Sequence, residues 1–175
     1  IKLDGKKDKS NLGANAILGV SLAMARLQAK IERKPLFEFL SQFFPAKKKE
    51  KKLTLLMNIV NGGMHAFGGP DIQEYLILVK GDSIKESVFL GAKIYREMGK
   101  FFKRNIGDEG GFVPEQSDVQ LPLEAISRTI AEKQVRKKVK LGLDVAASEL
   151  FDGKSYKMGE YKFFPEELID FYLRW

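Results

Sequence analysis

Three short apolar runs, each meeting glycines or a carboxylate at one end, constrain this chain most. Leu53–Val60 stops at Asn61-Gly62-Gly63, Ile72–Val79 follows Asp71 and carries Glu74, and Val139–Val145 includes Leu141-Gly142-Leu143-Asp144. Apolar runs of this length, bounded by turn residues, read as buried strands. Between the second and third lie two helical periodicities. Ser83–Lys103 places Ile84, Val88, Gly91, Tyr95, Met98 and Phe102 on one face, and Gln120–Lys137 places Leu121, Ala125, Ile126 and Ile130 on one. Phe164–Trp175 starts a last helix, with Pro165 and Glu166 in its first turn. The order is strand-strand-helix-helix-strand-helix. The polar candidates gather in loops at one strand end, so the order fits the opening of an α/β barrel better than a doubly wound sheet. A complete barrel takes roughly 250 residues, and this portion is about half of that. Two unpaired edges are expected, with the tendency to associate that open edges bring.

Upstream, residues 10–33 read as a helix with Ser10 or Asn11 as cap, on Ile17, Val20, Met24, Leu27 and Ile31. Pro35 opens a shorter helix, Leu36–Phe43, and Pro45 closes it. The run Lys47-Lys48-Lys49-Glu50-Lys51-Lys52 then reads as a linker, dividing a helical region, 1–46, from the barrel portion, 53–175. Phe151–Lys162 reads as a loop or hairpin turning at Asp152-Gly153.

A length of 175 residues suits one domain with a sizeable core, or one small and one partial domain. There is no cysteine, which excludes disulfides and thiolate metal sites. Charges at Lys2, Asp4, Lys6 and Lys7 stand where a signal peptide needs an apolar stretch, and no apolar run is long enough to span a bilayer. The net charge of +7 concentrates in 47–52 and in Lys133–Lys140. Two readings are open for these runs, an anionic partner surface and a solvated linker with a wet helix end. The second is favoured over nucleic acid, because neither run interleaves aromatic residues. The chain opens on Ile1 rather than Met and stops at Trp175 inside a helical pattern, so a segment of a longer protein is expected.

The chemistry centres on Gly107-Asp108-Glu109-Gly110-Gly111-Phe112-Val113-Pro114. Two glycines after a pair of acids leave one flank bare, so a ligand can approach the backbone beside Glu109. Glu74 follows a loop with four glycines that holds the only histidine, His65, and Asp144 closes an apolar run. Three separated carboxylates at the edges of apolar segments point to a metal-assisted acid/base site. Plainer roles stay open: Glu74 as a surface acid, His65 as an exposed residue, Asp144 as a cap for the next helix, the glycines as turn formers.

These residues resemble enolase (phosphopyruvate hydratase). The resemblance rests on Leu3-Asp4-Gly5, on Lys9 through Ser21, on Met57-Asn58-Ile59-Val60-Asn61-Gly62-Gly63 with His65-Ala66, and on Asp71-Ile72-Gln73-Glu74-Tyr75. Gly107–Pro114 and Gly142–Glu149 complete it, all in family order from Leu3 to Tyr156. It implies the helical end of a small α+β domain, residues 1–46, followed by a partial enolase-type α/β barrel. The implied reaction is the reversible dehydration of 2-phosphoglycerate to phosphoenolpyruvate in the cytoplasm, with Mg²⁺ as cofactor and a homo-oligomer as the parent. A lysine takes the C2 proton, two Mg²⁺ stabilise the charge that develops, and a glutamate protonates the departing hydroxyl. By resemblance Glu109 is that acid, Glu74 its carboxylate partner and Asp144 a Mg²⁺ ligand. His65, Gln73 and Glu74 are substrate contacts, and Asp71 and Asp108 shape loops.

The match has departures. Met64 stands where lysine or serine is usual, Pro70 where leucine is, Tyr75 for phenylalanine and Val113 for alanine. The family's base lysine, two further metal ligands, phosphate-gripping Ser-His-Arg loop and serine-containing lid find no match in the 175 residues. The chain alone is therefore expected to be inactive. The competing readings are a short enolase-derived binding protein that uses its lysine runs, and a superfamily enzyme acting on another carboxylate.

Overall fold

The computed structural model describes residues 1–44, 53–102 and 105–175, with His65 as backbone alone. The chain divides into two compact units, Ile1–Lys51 and Lys52–Trp175. The proposed linker 47–52 and the helix-ending Pro45 lie outside the described residues.

In the first unit, residues 1–13 are turns organised by Asp4. Its buried carboxylate accepts the Leu12 N–H at 2.7 Å and the Lys6 N–H at 3.1 Å, while Asn11 Nδ2 donates to the Asp4 carbonyl at 2.6 Å. These bonds, the Leu12 amide first, hold the Asp4 carboxyl below its usual range. Helix α1 therefore starts at Ala14 rather than at residue 10: it spans Ala14–Ile31, and Gly13 sits at its cap without a side-chain bond. Asn11, expected as a cap, is engaged by Asp4 instead. The helix ends in a Schellman turn, with Arg33 left-handed at φ 53° and the Lys34 N–H on the Ala29 carbonyl. Helix α2 is Leu36–Ser41, two residues shorter than expected. Ala29 is the only buried residue of α1. The anticipated apolar face is solvent-facing: Val20, Met24, Leu27 and Ile31 are all exposed.

The second unit holds the core. Strands β1 (Leu55–Asn61), β2 (Glu74–Val79) and β3 (Val139–Asp144) form one sheet in that order, and both pairings are antiparallel. Side chains alternate along β2: Tyr75, Ile77 and Val79 are buried, while Glu74, Leu76 and Leu78 are half-buried. Helix α3 (Ile84–Phe101) packs on β1 and β2, and α4 (Gln120–Glu132) on β3. Ile59, Ile77, Ile94, Leu123 and Ile126 close the space between, each gaining about 1.5–3 kcal/mol from full burial.

The two helices depart from the sequence reading in instructive ways. Ser83 caps α3 by accepting the Glu86 N–H at 3.1 Å. Its buried stripe is Ser87, Gly91, Ile94 and Met98, whereas Ile84 and Val88 are exposed. Gly91 lies on both stripes, and a Cβ there would overlap the Met57 thioether, so the helix packs closely on β1 at this point. Helix α4 stops at Glu132 rather than Lys137. Gln134 turns left-handed at φ 54°, and the Val135 N–H reaches back to Ile130 O. Lys138 then binds Asp82 Oδ2 at 2.7 Å and Glu86 Oε1 at 2.6 Å, and Lys133 lies 3.7 Å from Glu97, so this basic stretch is partly neutralised within the fold.

After β3 come a short helix α5 (Ala147–Leu150) and a hairpin of β4 (Tyr156–Met158) and β5 (Tyr161–Phe163). The hairpin turns at Gly159-Glu160, not at Asp152-Gly153. Asp152 caps a separate turn by accepting the Lys154 and Ser155 N–H groups and the Ser155 hydroxyl, which hold its carboxyl down to about 2, the Ser155 amide contributing most. Helix α6 (Pro165–Leu173) completes the described chain. No described helix is long and apolar enough to cross a membrane.

Candidate functional site

The antiparallel sense of β2 brings three chain segments to one end of the sheet. β1 leaves there at Asn61, β2 enters at Glu74, and β3 leaves at Asp144. The register pairs Asn61 with Glu74 and Glu74 with Asp144, so the three stand in one row. Residues directly opposite in an antiparallel pair share a face, with Cβ atoms about 4.5–5.5 Å apart. Glu74 is half-buried and Asp144 exposed. Two like charges facing each other weaken a sheet end, and such a place favours a cation. Asp144 also accepts the Ala146 N–H at 3.2 Å, which turns the chain into α5; the α5 cap itself is Ala146, left-handed at φ 49°.

The Gly107–Pro114 loop, which carries Glu109, docks on the outer edge of β1. The Phe112 N–H donates to Ile59 O at 2.8 Å, and the Asn61 N–H donates to Phe112 O at 2.9 Å. The Gly107 N–H closes the loop on Gly111 O at 2.8 Å, and the Tyr95 hydroxyl donates to Gly110 O at 2.6 Å. Glu109 stands on this loop, exposed, with Oε2 accepting from Asn61 Nδ2 at 2.7 Å. Asn61 itself is fully buried, and its Oδ1 accepts the Gly111 N–H at 2.6 Å. Gly111 is glycine by necessity, since a Cβ there would stand 2.5 Å from Asn61 Oδ1 and 2.8 Å from the Asn61 nitrogen. Glu109 also borders a cleft of about 660 Å³ lined by Met57, Asn58, Tyr95, Arg96 and Phe112 among others. Both amide atoms of Asn58 are buried without a hydrogen-bond partner among the described residues.

The glycine loop is pinned at its base. The Gly62 N–H reaches Gln73 O at 2.9 Å and the Gly63 N–H reaches Pro70 O at 2.8 Å. A Cβ at Gly62 would overlap the Pro70 and Ile72 carbonyl oxygens, so close backbone approach requires this glycine. Beyond the base, Met64 and Phe67 are fully open to solvent. His65 lies in a short 3₁₀ turn, Gly63–His65. Asp71 accepts the Gly159 N–H and so ties the entry of β2 to the hairpin. Tyr75, where phenylalanine is usual in the resembled family, buries its ring completely and donates its hydroxyl to Val119 O at 3.1 Å. Burial, with Asp118 and Asp71 adding negative charge nearby, pushes that hydroxyl well above its usual range and keeps it neutral.

The structure thus brings Glu74 and Asp144 together by register, and sets Gln73 against Gly62 through its backbone. Glu109 joins this end through Asn61. Sequence reasoning treated Asn61 as a turn marker and missed its contacts with Glu109 and Gly111. The only signal was an asparagine at the end of an apolar strand, where turn formation is the ordinary explanation. For a metal, the carboxylate oxygens of Asp144 are the right chemistry for Mg²⁺. The donor set is short, since no three His, Cys, Asp or Glu side chains stand close enough to hold one metal ion among the described residues.

Comparison with known proteins gives the family. Residues 53–169 match the family described as "Enolase, C-terminal TIM barrel domain", and residues 1–40 match "Enolase, N-terminal domain". The enolase of Ehrlichia ruminantium (strain Welgevonden) is 35% identical over 184 aligned positions, covering 98% of this chain and 42% of that relative. The chain belongs to the enolase family and spans less than half the length of this curated relative.

Proposed function

We propose, from that membership, that this chain is a segment of an enolase and supplies the acid side of the dehydration of 2-phosphoglycerate to phosphoenolpyruvate. The observation that carries the reading is the convergence of Glu109, Glu74 and Asp144 on one sheet end through the Asn61–Glu74–Asp144 register. Residues 1–46 are read as the end of the small domain, 47–52 as a linker and 53–175 as the first part of the barrel.

In this reading Glu109 delivers a proton to the departing C3 hydroxyl, since hydroxide is a poor leaving group and protonation turns it into water. Glu74 is its carboxylate partner. Gln73 and Glu74 line the substrate pocket at the mouth of β2, and His65 approaches as the glycine loop closes over it. Asp144 would hold Mg²⁺ through a carboxylate oxygen, and the ion would supply positive charge beside the substrate carboxylate. The reading carries with it a cytoplasmic location and a homo-oligomeric parent. The partly neutralised 133–140 stretch does not favour the lysine-run binding protein.

No residue here matches the family's base lysine, so the chain alone should show no Mg²⁺-dependent formation of phosphoenolpyruvate, followed by its ultraviolet absorbance. Turnover by the purified chain would sink that part. In a complete barrel carrying this segment, Glu109→Gln should lower kcat by about 10²–10⁴-fold; an unchanged kcat would overturn the acid assignment.

A further inference from the structure

We propose that Asn61 is a positioning residue: it aims the Glu109 carboxyl and fixes which of its oxygens carries the transferable proton. This rests on Glu109 being the acid.

The geometry is over-determined. The Asn61 backbone is held on both sides, by Phe112 O on the loop side and by pairing with Glu74 on the sheet side. Its side chain is fully buried, and one planar amide spans two loop residues, taking the Gly111 N–H on Oδ1 at 2.6 Å and giving Nδ2–H to Glu109 Oε2 at 2.7 Å. The orientation of the amide follows from chemistry. The Gly111 N–H can only donate, so the oxygen must face it, and the NH₂ end must face Glu109. A Cβ at Gly107 would stand 3.1 Å from Asn61 Oδ1, so the loop also closes tightly around the amide. From the other side, the Tyr95 hydroxyl holds Gly110 O. Glu109 is thus bracketed while its own side chain stays at the surface.

The chemical consequence concerns the proton. Oε2 faces an N–H, so it acts as an acceptor whether the carboxyl is charged or neutral. In the neutral carboxyl the carbonyl oxygen is the better acceptor, so the amide N–H favours the form with Oε2 unprotonated. The proton therefore sits on Oε1, and when the acid gives it up the charge left behind is shared with an oxygen already hydrogen-bonded to Asn61. Asparagine alone meets both demands. Aspartate keeps the acceptor for Gly111 but puts a second carboxylate 2.7 Å from the first. Leucine keeps the size and loses both bonds.

The first test needs no turnover. In the ¹⁵N-labelled 175-residue chain, the Asn61 side-chain NH₂ should exchange with solvent at least about tenfold more slowly than a free amide. Glu109→Ala should speed that exchange by at least about tenfold while the Gly111 amide stays protected, which also shows that the fold is intact. Free-rate exchange in the unaltered chain, or no response to Glu109→Ala, overturns the proposal. The second test uses a complete barrel carrying this segment, with dehydration and C2-proton exchange into D₂O both measured. Asn61→Asp should lower kcat for dehydration by about 10²-fold with little change in KM, as expected for a misplaced group, while C2 exchange persists as in Glu109→Gln. A merely structural role would depress exchange and dehydration together, and that result overturns the proposal. Glu109→Gln slow with Asn61→Asp at the unaltered rate overturns the positioning role alone. Glu109→Gln without effect brings down the acid reading and this inference with it.

Discussion

The two units bury their apolar residues in opposite ways. In Lys52–Trp175 a sheet and two helices enclose a continuous core, and ten apolar residues among those described, from Ile59 and Val60 to Ile126 and Met158, are 0% exposed. In Ile1–Lys51 the longest helix buries only Ala29, and Leu18, Val20, Leu22, Met24, Leu27 and Ile31 stand at 45–67% exposure. Similar apolar content gives a core in one unit and a bare helix in the other. Periodicity reports that a face exists; it carries no information on what covers it.

That contrast can be broken first by truncation. Ile126→Ala should cost about 2–5 kcal/mol in chemical denaturation, because it opens a cavity in a closed core. Met24→Ala should stay within about 0.5 kcal/mol, since its side chain already faces solvent. Comparable losses at the two positions would mean that α1 is packed in solution. A gain of about 1–2 kcal/mol is expected for Asn58→Leu, which removes two buried amide atoms that lack partners. A loss there would show that Asn58 is satisfied in solution, by water or by a second chain.

Smaller effects sharpen the comparison at turns. Gln134→Gly should stabilise the second unit by about 0.5 kcal/mol net, the left-handed strain relieved being partly offset by the freer unfolded chain. An unchanged melting temperature would argue against a left-handed residue there. The smallest effect is electrostatic. Asp152 has a folded pKa of about 2 against an ordinary 3.8, so its contribution is complete above pH 4 and is lost as the pH falls through 2. Stability of the unaltered chain and of Asp152→Asn, measured from pH 5 to pH 2, should converge at the acid end. Parallel curves across that range would remove the turn's role.

Much of the second unit was legible in the sequence. Its strands and main helices arise from local periodicity and fall within a few residues of expectation, except that α4 ends five residues early. That end depends on Val135 reaching the core, which local pattern cannot register. The stripe of α3 shares Gly91 and Met98 with the expected face but passes through Ser87 and Ile94 rather than Val88 and Tyr95, a rotation that depends on the strands it packs against. Glu74, Glu109 and Asp144 stand out as acids beside apolar runs. Asn61 does not, because its partner lies 48 residues away and the contact exists only once the loop has docked on β1.

The pairing of β2 has a consequence for assembly. Its residues alternate between the helix side and the site side, so a slip of one position against either neighbour would turn Glu74 toward the helices and Tyr75 away from them. The Tyr75 hydroxyl would then lose the Val119 carbonyl, and Ile77 and Val79 would leave the core. A misaligned chain is therefore penalised at once by exposed grease and stranded polar groups, and quality control would meet it as a misfolded protein. The strand proofreads the site: chains that reach a stable fold carry these carboxylates in register.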